Sequence, residues 1–187
     1  TEWGDFHSFK NREALEYECF RMLAYNSKCL IGDQLDPDGK ISGAVYDLIG
    51  SVYREVEKKE PWCQKAKALT EIAVFTSECL KEHTGPGGSV PREVNGACTM
   101  LDELGYQLDI VDDRSEFNGY KVLILPDSIL CDSKLAEKIK SFIANGGKVI
   151  ASYKSGLSDD ETDFAIDELG VHYLGESPYS PDFIMPN

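Results

Sequence analysis

The sequence has few basic residues, and those it has do not cluster. Of its 187 residues, 33 are acidic and 19 are Lys or Arg, which gives a formal net charge of -14. A surface that binds a polyanion carries a local excess of Lys and Arg, and none occurs along this chain. We therefore expect neither nucleic acid nor an anionic membrane surface as a partner.

The sequence also has no long apolar run and no closely paired cysteines. No run approaches the roughly 20 apolar residues that a helix needs to cross a bilayer. The six cysteines are Cys19, Cys29, Cys63, Cys79, Cys98 and Cys131. Because none forms a C-x-x-C pair and most fall within apolar patterns, we predict reduced, buried thiols, with a disulfide or zinc framework as the alternative.

Histidine is scarce as well. The three histidines are His7, His83 and His172. They lie far apart and lack the spacing of metal ligands, so we expect no metal site and no cofactor. We expect a cytoplasmic location, because scattered unpaired cysteines are typical of a reducing compartment.

Residues 1–65 show one predicted strand between two predicted helices. A helix over residues 12–25 has Asn11 as its N-cap, and a buried strand over 28–35 precedes a DPDG turn at 36–39. The second helix carries one apolar stripe and is expected to close at Pro61 and Trp62. Its stripe consists of Val45, Leu48, Ile49, Val52, Tyr53 and Val56. Since one strand cannot form a sheet, these residues look like the end of a larger domain.

In residues 66–175 predicted strands alternate with predicted helices. The strands are expected at 71–76, 108–111, 120–126 and 148–152. A helix capped by Ser89 ends at Gly105, and another begins at Asp132 or Ser133. A capping box at 158–161 (SDDE) predicts a last short helix that ends near Gly170. This alternation predicts an α/β fold, a doubly wound, flavodoxin-like parallel sheet with helices on both faces.

Several stretches carry a resemblance to bacterial glycoside hydrolases and hydrolase-like proteins, including α-L-fucosidase-like members. In residues 1–63 the matching stretches are WGDF at 3–6, CLIGDQL at 29–35, IGSVY at 49–53 and EPWC at 60–63. They resemble the last part of a catalytic (β/α)8 barrel. The stretches YKVLILP at 120–126 and NGGKVI at 145–150 resemble the β-galactosidase trimerisation domain, which is itself similar to class I glutamine amidotransferases.

The resemblance implies two domains. Residues 1–65 would be the C-terminal remnant of a (β/α)8 barrel, and residues 66–187 an amidotransferase-like, trimerisation-type domain that is truncated at its C-terminal end. The expected function is that of a non-catalytic assembly segment of a carbohydrate-active hydrolase. Its partners would be other subunits or its own barrel, and the full-length parent would bind a carbohydrate substrate. The alternatives are an active amidotransferase-like enzyme and a flavodoxin-like module that binds a small ligand.

Two groups of residues would stand on the rim of the intact barrel. Trp3 and Asp5, beside Glu2, would follow one barrel strand, and Asp33 and Gln34 would follow the strand at 28–35. There a Trp ring can stack on a sugar, and carboxylates can accept hydrogen bonds from sugar hydroxyls. We predict Trp3, Asp5, Asp33 and Gln34 as candidate substrate-binding residues. The alternative is that Asp33 and Gln34 only cap the turn at 36–39.

The stretch ASYKSG at 151–156 raises the question of a catalytic turn. In glutamine amidotransferases a Cys in G-x-C-x-G lies on a strained turn between a strand and a helix, with an oxyanion hole beside it. Here the apex would be Tyr153 or Lys154, and the hydroxyls of Ser152 and Ser155 do not satisfy G-x-S-x-G. We therefore predict no catalytic residue in this chain: the turn keeps its shape without its chemistry.

Two further motifs have plain interpretations. Cys131 follows a strand end, but it has no flanking glycines and no nearby His, so we predict an idle thiol. The loop TGPGGS at 84–89 precedes a helix, where phosphate can bind helix amides. Its spacing matches neither dinucleotide nor P-loop patterns, so a loop without a ligand is expected.

Overall fold

The computed structural model describes residues 8–80 and 90–179. The chain divides into two units, and the boundary falls between Leu69 and Thr70. Within the described part of the chain, no helix is both long and apolar enough to cross a membrane. Each unit is described by itself below.

The first unit contains two helices, α1 (Arg12–Ala24) and α2 (Gly43–Cys63). The Asn11 side chain accepts a hydrogen bond from the amide of Ala14 at 2.7 Å, which confirms the predicted N-cap of α1. The two helices pack through a small apolar core that consists of Leu15, Cys19, Val52 and Val56. Pro61 and Trp62, predicted to close this part of the chain, lie in the last turn of α2, which ends at Cys63.

The predicted strand at 28–35 is not a strand in the structure. These residues have irregular backbone, and Leu30 and Leu35 are 81% and 53% exposed. A strand exists only where neighbouring strands accept and donate its backbone hydrogen bonds, and the described residues of this unit contain no other strand. The turn at 36–39 is present: the amide of Gly39 donates to the carbonyl of Asp36 at 2.8 Å.

The second unit is built on a four-stranded parallel sheet with strand order β2-β1-β3-β4. The strands are β1 (Ile72–Phe75), β2 (Leu108–Val111), β3 (Val122–Leu125) and β4 (Lys148–Ala151). They confirm the four predicted strands and the α/β class. Helix α3 (Arg92–Glu103) connects β1 to β2, and helix α4 (Ser133–Ala144) connects β3 to β4.

The two helices of this unit cover opposite faces of the sheet. Val94 and Leu101 of α3 pack on Val74 and Ile124. On the other face, α4 packs against a larger core. That core includes Ala73, Phe75, Leu123, Leu125, Leu135, Ile139 and Phe142. Because side chains alternate between the two faces of a strand, each central strand contributes to both cores.

Two predicted helix starts in this unit, at the capping box 158–161 and at Ser89, were not confirmed. A last short helix ends near Gly170 as predicted, but it is a 3₁₀ helix at Asp167–Leu169, and the capping box at 158–161 does not start it. The Ser158 hydroxyl instead lies 2.6 Å from Oδ1 of Asp160 and 2.9 Å from the carbonyl of Asp163. The cap of α3 is Pro91, and Ser89, predicted for that role, lies outside the described residues.

Candidate functional site

The candidate site lies at the carboxyl ends of β1 and β3, the two central strands. The chain leaves β1 toward α3 on one face and β3 toward α4 on the other, so the connections diverge here. In doubly wound sheets this divergence opens the crevice where ligands bind. A ligand-binding or catalytic site of this unit would therefore be formed by the segments that follow these two strands.

The carboxylate of Glu93 lies at the carboxyl ends of these two strands. The hydroxyls of Ser77, after β1, and of Ser128, after β3, both donate to Oε1 of Glu93, at 3.2 and 2.9 Å. Ser77 is fully buried, and Glu93 lies in the first turn of α3, where the helix dipole favours a negative charge. Glu93 thus joins the ends of both central strands to one helix, which is a structural role.

Sequence reasoning did not identify Glu93. The available signal was an acidic residue in the first turn of a predicted helix, and that pattern is common. Only the pairing of β1 with β3 brings Ser77 and Ser128 to the same carboxylate oxygen.

The turn at residues 152–156, which we call the elbow turn, follows β4. Its apex is Tyr153, whose φ of 50° lies in the left-handed region that non-glycine residues rarely adopt. Gly156 has φ of 96°, and a Cβ there would lie 2.9 Å from a methyl carbon of Leu169. The backbone at the apex therefore has the strained conformation expected of a nucleophile-bearing turn.

The amides of the elbow turn are occupied by other parts of the chain. The amide of Lys154 donates to the carbonyl of Asp127 at 3.0 Å, and that of Gly156 to Ile129 at 2.8 Å. The amide of Ser155 donates to the carbonyl of Ser152 at 3.0 Å. An oxyanion hole needs amides directed at the reacting atom, so these three amides do not supply one.

The two serine hydroxyls of the elbow turn also have structural partners. Ser152 Oγ donates to Oδ1 of Asp127 at 2.7 Å, while Ser155 Oγ, which is buried, accepts the amide of Ile129 at 3.1 Å. Both bonds fasten the elbow turn to the segment after β3. Within residues 8–80 and 90–179, neither hydroxyl is paired with a histidine that could activate it.

The side chains at the apex are held in protonated forms. The Tyr153 hydroxyl donates to Oε1 of Glu176 at 3.1 Å, which raises the pKa of this phenol. Lys154 Nζ lies 2.8 Å from Glu161 and 2.9 Å from Glu176, and these hydrogen bonds raise the pKa of the ammonium group. Neither group is suited to act as a nucleophile or a base near neutral pH.

His172 and Cys131 have no catalytic arrangement. His172 Nδ1 lies 3.1 Å from Oδ2 of Asp163. The pKa of Asp163 falls to about 2, chiefly because the amide of Tyr173 donates to it, together with His172 and the amide of Phe164. Cys131 is only 2% exposed, and burial raises the pKa of its thiol to about 12.

The candidate rim residues are only partly within the described chain. Asp33 and Gln34 lie in the irregular segment of the first unit and are both exposed. The turn at 36–39 is capped by Asp38, whose carboxylate accepts the amide of Lys40 at 3.1 Å, rather than by either of them. Trp3 and Asp5, like Glu2, lie outside the described residues, as does the loop at 84–89.

Across residues 8–80 and 90–179, no group of three or more His, Cys, Asp or Glu side chains is arranged to hold a metal ion. The described part of the second unit therefore presents a parallel sheet whose carboxyl edge is fastened by internal hydrogen bonds. This edge is suited to rigidity rather than to a reaction.

A family model described as "Beta-galactosidase trimerisation domain" matches residues 89–171. Among curated proteins, Beta-galactosidase GalA of Bacillus licheniformis is 30% identical over 202 residues, covering 95% of this chain and 28% of that protein. Beta-galactosidase BglY of Alicyclobacillus acidocaldarius is 26% identical over 156 residues, covering 74% of this chain and 22% of that protein. The chain therefore spans about a quarter of the length of these relatives.

Two solved structures extend the comparison. Alpha-L-fucosidase isoenzyme 2 from Paenibacillus thiaminolyticus is 42% identical with a TM-score of 0.75, covering 89% of this chain and 25% of that one. Gan42B, a GH42 beta-galactosidase, is 19% identical with a TM-score of 0.61. The match covers 92% of this chain and 27% of that chain and shows a shared fold. Residues 89–171 are thus similar to the trimerisation domain of beta-galactosidases, and the chain shares its fold with a GH42 member.

Proposed function

We propose that this chain joins the end of a catalytic barrel to an assembly domain in a carbohydrate-active hydrolase. The observation that carries the proposal is the match of residues 89–171 to the β-galactosidase trimerisation domain. In this proposal the second unit binds other subunits of the same protein or its own barrel. The catalytic carboxylates come from barrel strands outside this chain.

The geometry of the elbow turn supports an assembly role over an amidotransferase activity. Tyr153 stands at the apex, and the amides of Lys154, Ser155 and Gly156 all donate within the chain. We propose that this unit is a flavodoxin-like, amidotransferase-like domain that retains the turn without its reaction. The strand order β2-β1-β3-β4 and the helices on both faces support this fold assignment.

For the first unit we propose the C-terminal remnant of a (β/α)8 barrel. Its irregular segment at 28–35 would become a barrel strand when neighbouring strands are present, and its exposed Leu30 and Leu35 support such a missing neighbour. Asp33 and Gln34 would then stand on the rim with Trp3 and Asp5 and contact the sugar. The 42% identity to a fucosidase supports a test with fucosides before galactosides.

Light scattering on the full-length parent, with and without residues 70–187, tests the assembly role. We expect the intact parent to be oligomeric and the shortened protein to be monomeric, with the far-ultraviolet spectrum of its barrel preserved. The same assembly state in both proteins would show that the second unit is not the oligomerisation element.

Hydrolysis of aryl fucosides and galactosides tests the catalytic part of the proposal. We expect turnover by the parent and none by this chain alone. Activity of this chain that disappears with Asp33→Ala would show that the catalytic machinery had been misplaced. Ammonia release from glutamine by the same preparation serves as the assay for the amidotransferase alternative.

A further inference from the structure

Three cysteines lie together in the first unit. Cys19 lies in the core between α1 and α2 and is 0% exposed, whereas Cys29, in the irregular segment, and Cys63, at the end of α2, are half-buried. Their thiols are free, and their charges influence one another through Cys29. The first unit thus holds a group of thiols, whereas Cys131 belongs to the separate core of the second unit.

Within this group, Cys19 and Cys29 are in direct contact. Cys29 Sγ donates to the backbone carbonyl of Cys19 at 3.3 Å. Cys63 has no such hydrogen bond to either residue among the described contacts. Cys19 and Cys29 are therefore the candidate pair for a sulfur–sulfur bond.

The structure assigns to Cys19 and Cys29 the role of a dithiol that a peroxide oxidises to an intramolecular disulfide. The half-buried Cys29 reacts first: its thiolate attacks the peroxide, the O–O bond breaks, and a sulfenic acid and one water form. The Cys19 thiolate then attacks that sulfur, and the S–O bond breaks. The net change is two thiols and one hydrogen peroxide to one disulfide and two waters.

The bond would hold the irregular segment against α1. Cys29 already approaches α1 through its thiol, and the carbonyl of the same residue accepts the hydroxyl of Tyr53 of α2 at 3.3 Å. A covalent link at Cys29 restricts the backbone that leads to Asp33 and Gln34, which begin four residues later. Oxidation of this pair therefore acts on the conformation of residues 28–35.

Peptide mapping of the whole chain tests the assignment. The chain is treated with hydrogen peroxide at mildly alkaline pH, because burial raises the pKa of both thiols, to about 11 for Cys19. Remaining thiols are alkylated, and the chain is digested with trypsin without reduction. The three cysteines fall on separate peptides, 13–21, 29–40 and 60–65. We expect 13–21 joined to 29–40, two hydrogens lighter than the sum of the peptides, and separated by a reductant.

Matched variants decide between the possible pairs. Cys29→Ser changes a half-buried position and should abolish the linked peptide, whereas Cys63→Ser and Cys131→Ser should leave it. Exchange of amides in residues 28–35 should slow in the oxidised chain and recover on reduction. A link between 29–40 and 60–65, a link between two chains, or full alkylation of 13–21 and 29–40 after peroxide would each overturn the assignment.

Discussion

The segment at 28–35 in the first unit and the strand β4 in the second have similar apolar sequences and different structures. The first reads KCLIGDQL and is irregular, whereas Lys148–Ala151 reads KVIA and pairs along its length with β3. The difference lies outside both segments, since β4 has a neighbouring strand and the described part of the first unit offers none. A strand-forming sequence becomes a strand only when a partner completes its hydrogen bonds.

The same contrast appears in the cores. The second unit buries residues on both faces of its sheet, in two clusters, while the core of the first unit has four buried residues. The first unit also leaves Leu30, Trp62 and Leu69 more than four-fifths exposed. The second unit therefore buries a larger apolar core than the first.

Amide hydrogen exchange tests this contrast with the largest expected effect. We expect the amides of β3 to exchange on the order of a thousandfold more slowly than those of residues 28–35, since the central strand opens only when its domain unfolds. The measurement is mass spectrometry of peptides from the whole chain. Equal protection of the two segments would show that 28–35 is paired after all.

Leu101 of α3 and Leu104, the C-cap residue of that helix, sharpen the contrast between buried and exposed apolar residues. Leu101 is 5% exposed and Leu104 is 64% exposed. We expect Leu101→Ala to lower the free energy of unfolding of the second unit by about 2–5 kcal/mol. Leu104→Ala, the control, should change it by less than about 0.5 kcal/mol. Urea unfolding followed by circular dichroism measures both, and a similar cost for both would contradict the described packing.

The close packing of the second unit is tested at the turn after α4. A Cβ added at Gly147 would lie 2.4 Å from ring carbons of Phe142, so Gly147→Ala should cost about 1–3 kcal/mol through overpacking. Gly146→Ala is the control: its φ of 92° strains the backbone, but no atom lies within 4 Å. Phe142→Leu should reduce the cost of Gly147→Ala and leave that of Gly146→Ala unchanged. A double-mutant cycle without coupling would show that the ring is not the obstacle.

The smallest expected effect concerns acid stability in the second unit. The pKa of Asp163 is lowered from 3.8 to about 2 in the folded chain. A lowered folded pKa stabilises the native state above the unfolded pKa, and this stabilisation is lost as pH falls from about 4 to about 2. Asp163→Asn should flatten stability against pH in that window, and Asp159→Asn, with the same change of charge, should not. If Asp163→Asn leaves the slope of stability against pH unchanged, another group causes the acid sensitivity.

The sequence was sufficient for elements whose causes are local. The Asn11 cap, the DPDG turn, the stripe of α2 and the four strands of the second unit follow from capping chemistry, turn chemistry and apolar periodicity. It failed where a local signal was overruled. Ser158 opens a capping box in the sequence, but its hydroxyl donates to the carbonyl of Asp163.

Some features of the candidate site could also be predicted from the sequence, and others could not. The absence of a Cys or a G-x-S-x-G motif at 151–156 can be read from the residues alone. The occupied amide of Lys154 could not be, because its partner, the carbonyl of Asp127, follows β3, more than twenty residues earlier. Strand pairing creates that contact, and sequence periodicity reports nothing of pairing between distant segments.

The sequence by itself predicted α3, α4 and the four strands of the second unit, because apolar residues recur every three or four positions in a helix and form a short, nearly continuous run in a buried strand. Only the tertiary structure decided that Glu93 joins β1 to β3, that Cys19 meets Cys29, and that 28–35 remains irregular. These outcomes depend on partners that are distant along the chain. A backbone group or a polar side chain forms a hydrogen bond with the partner that folding brings close to it. The residues next to it in the sequence do not determine which partner that is.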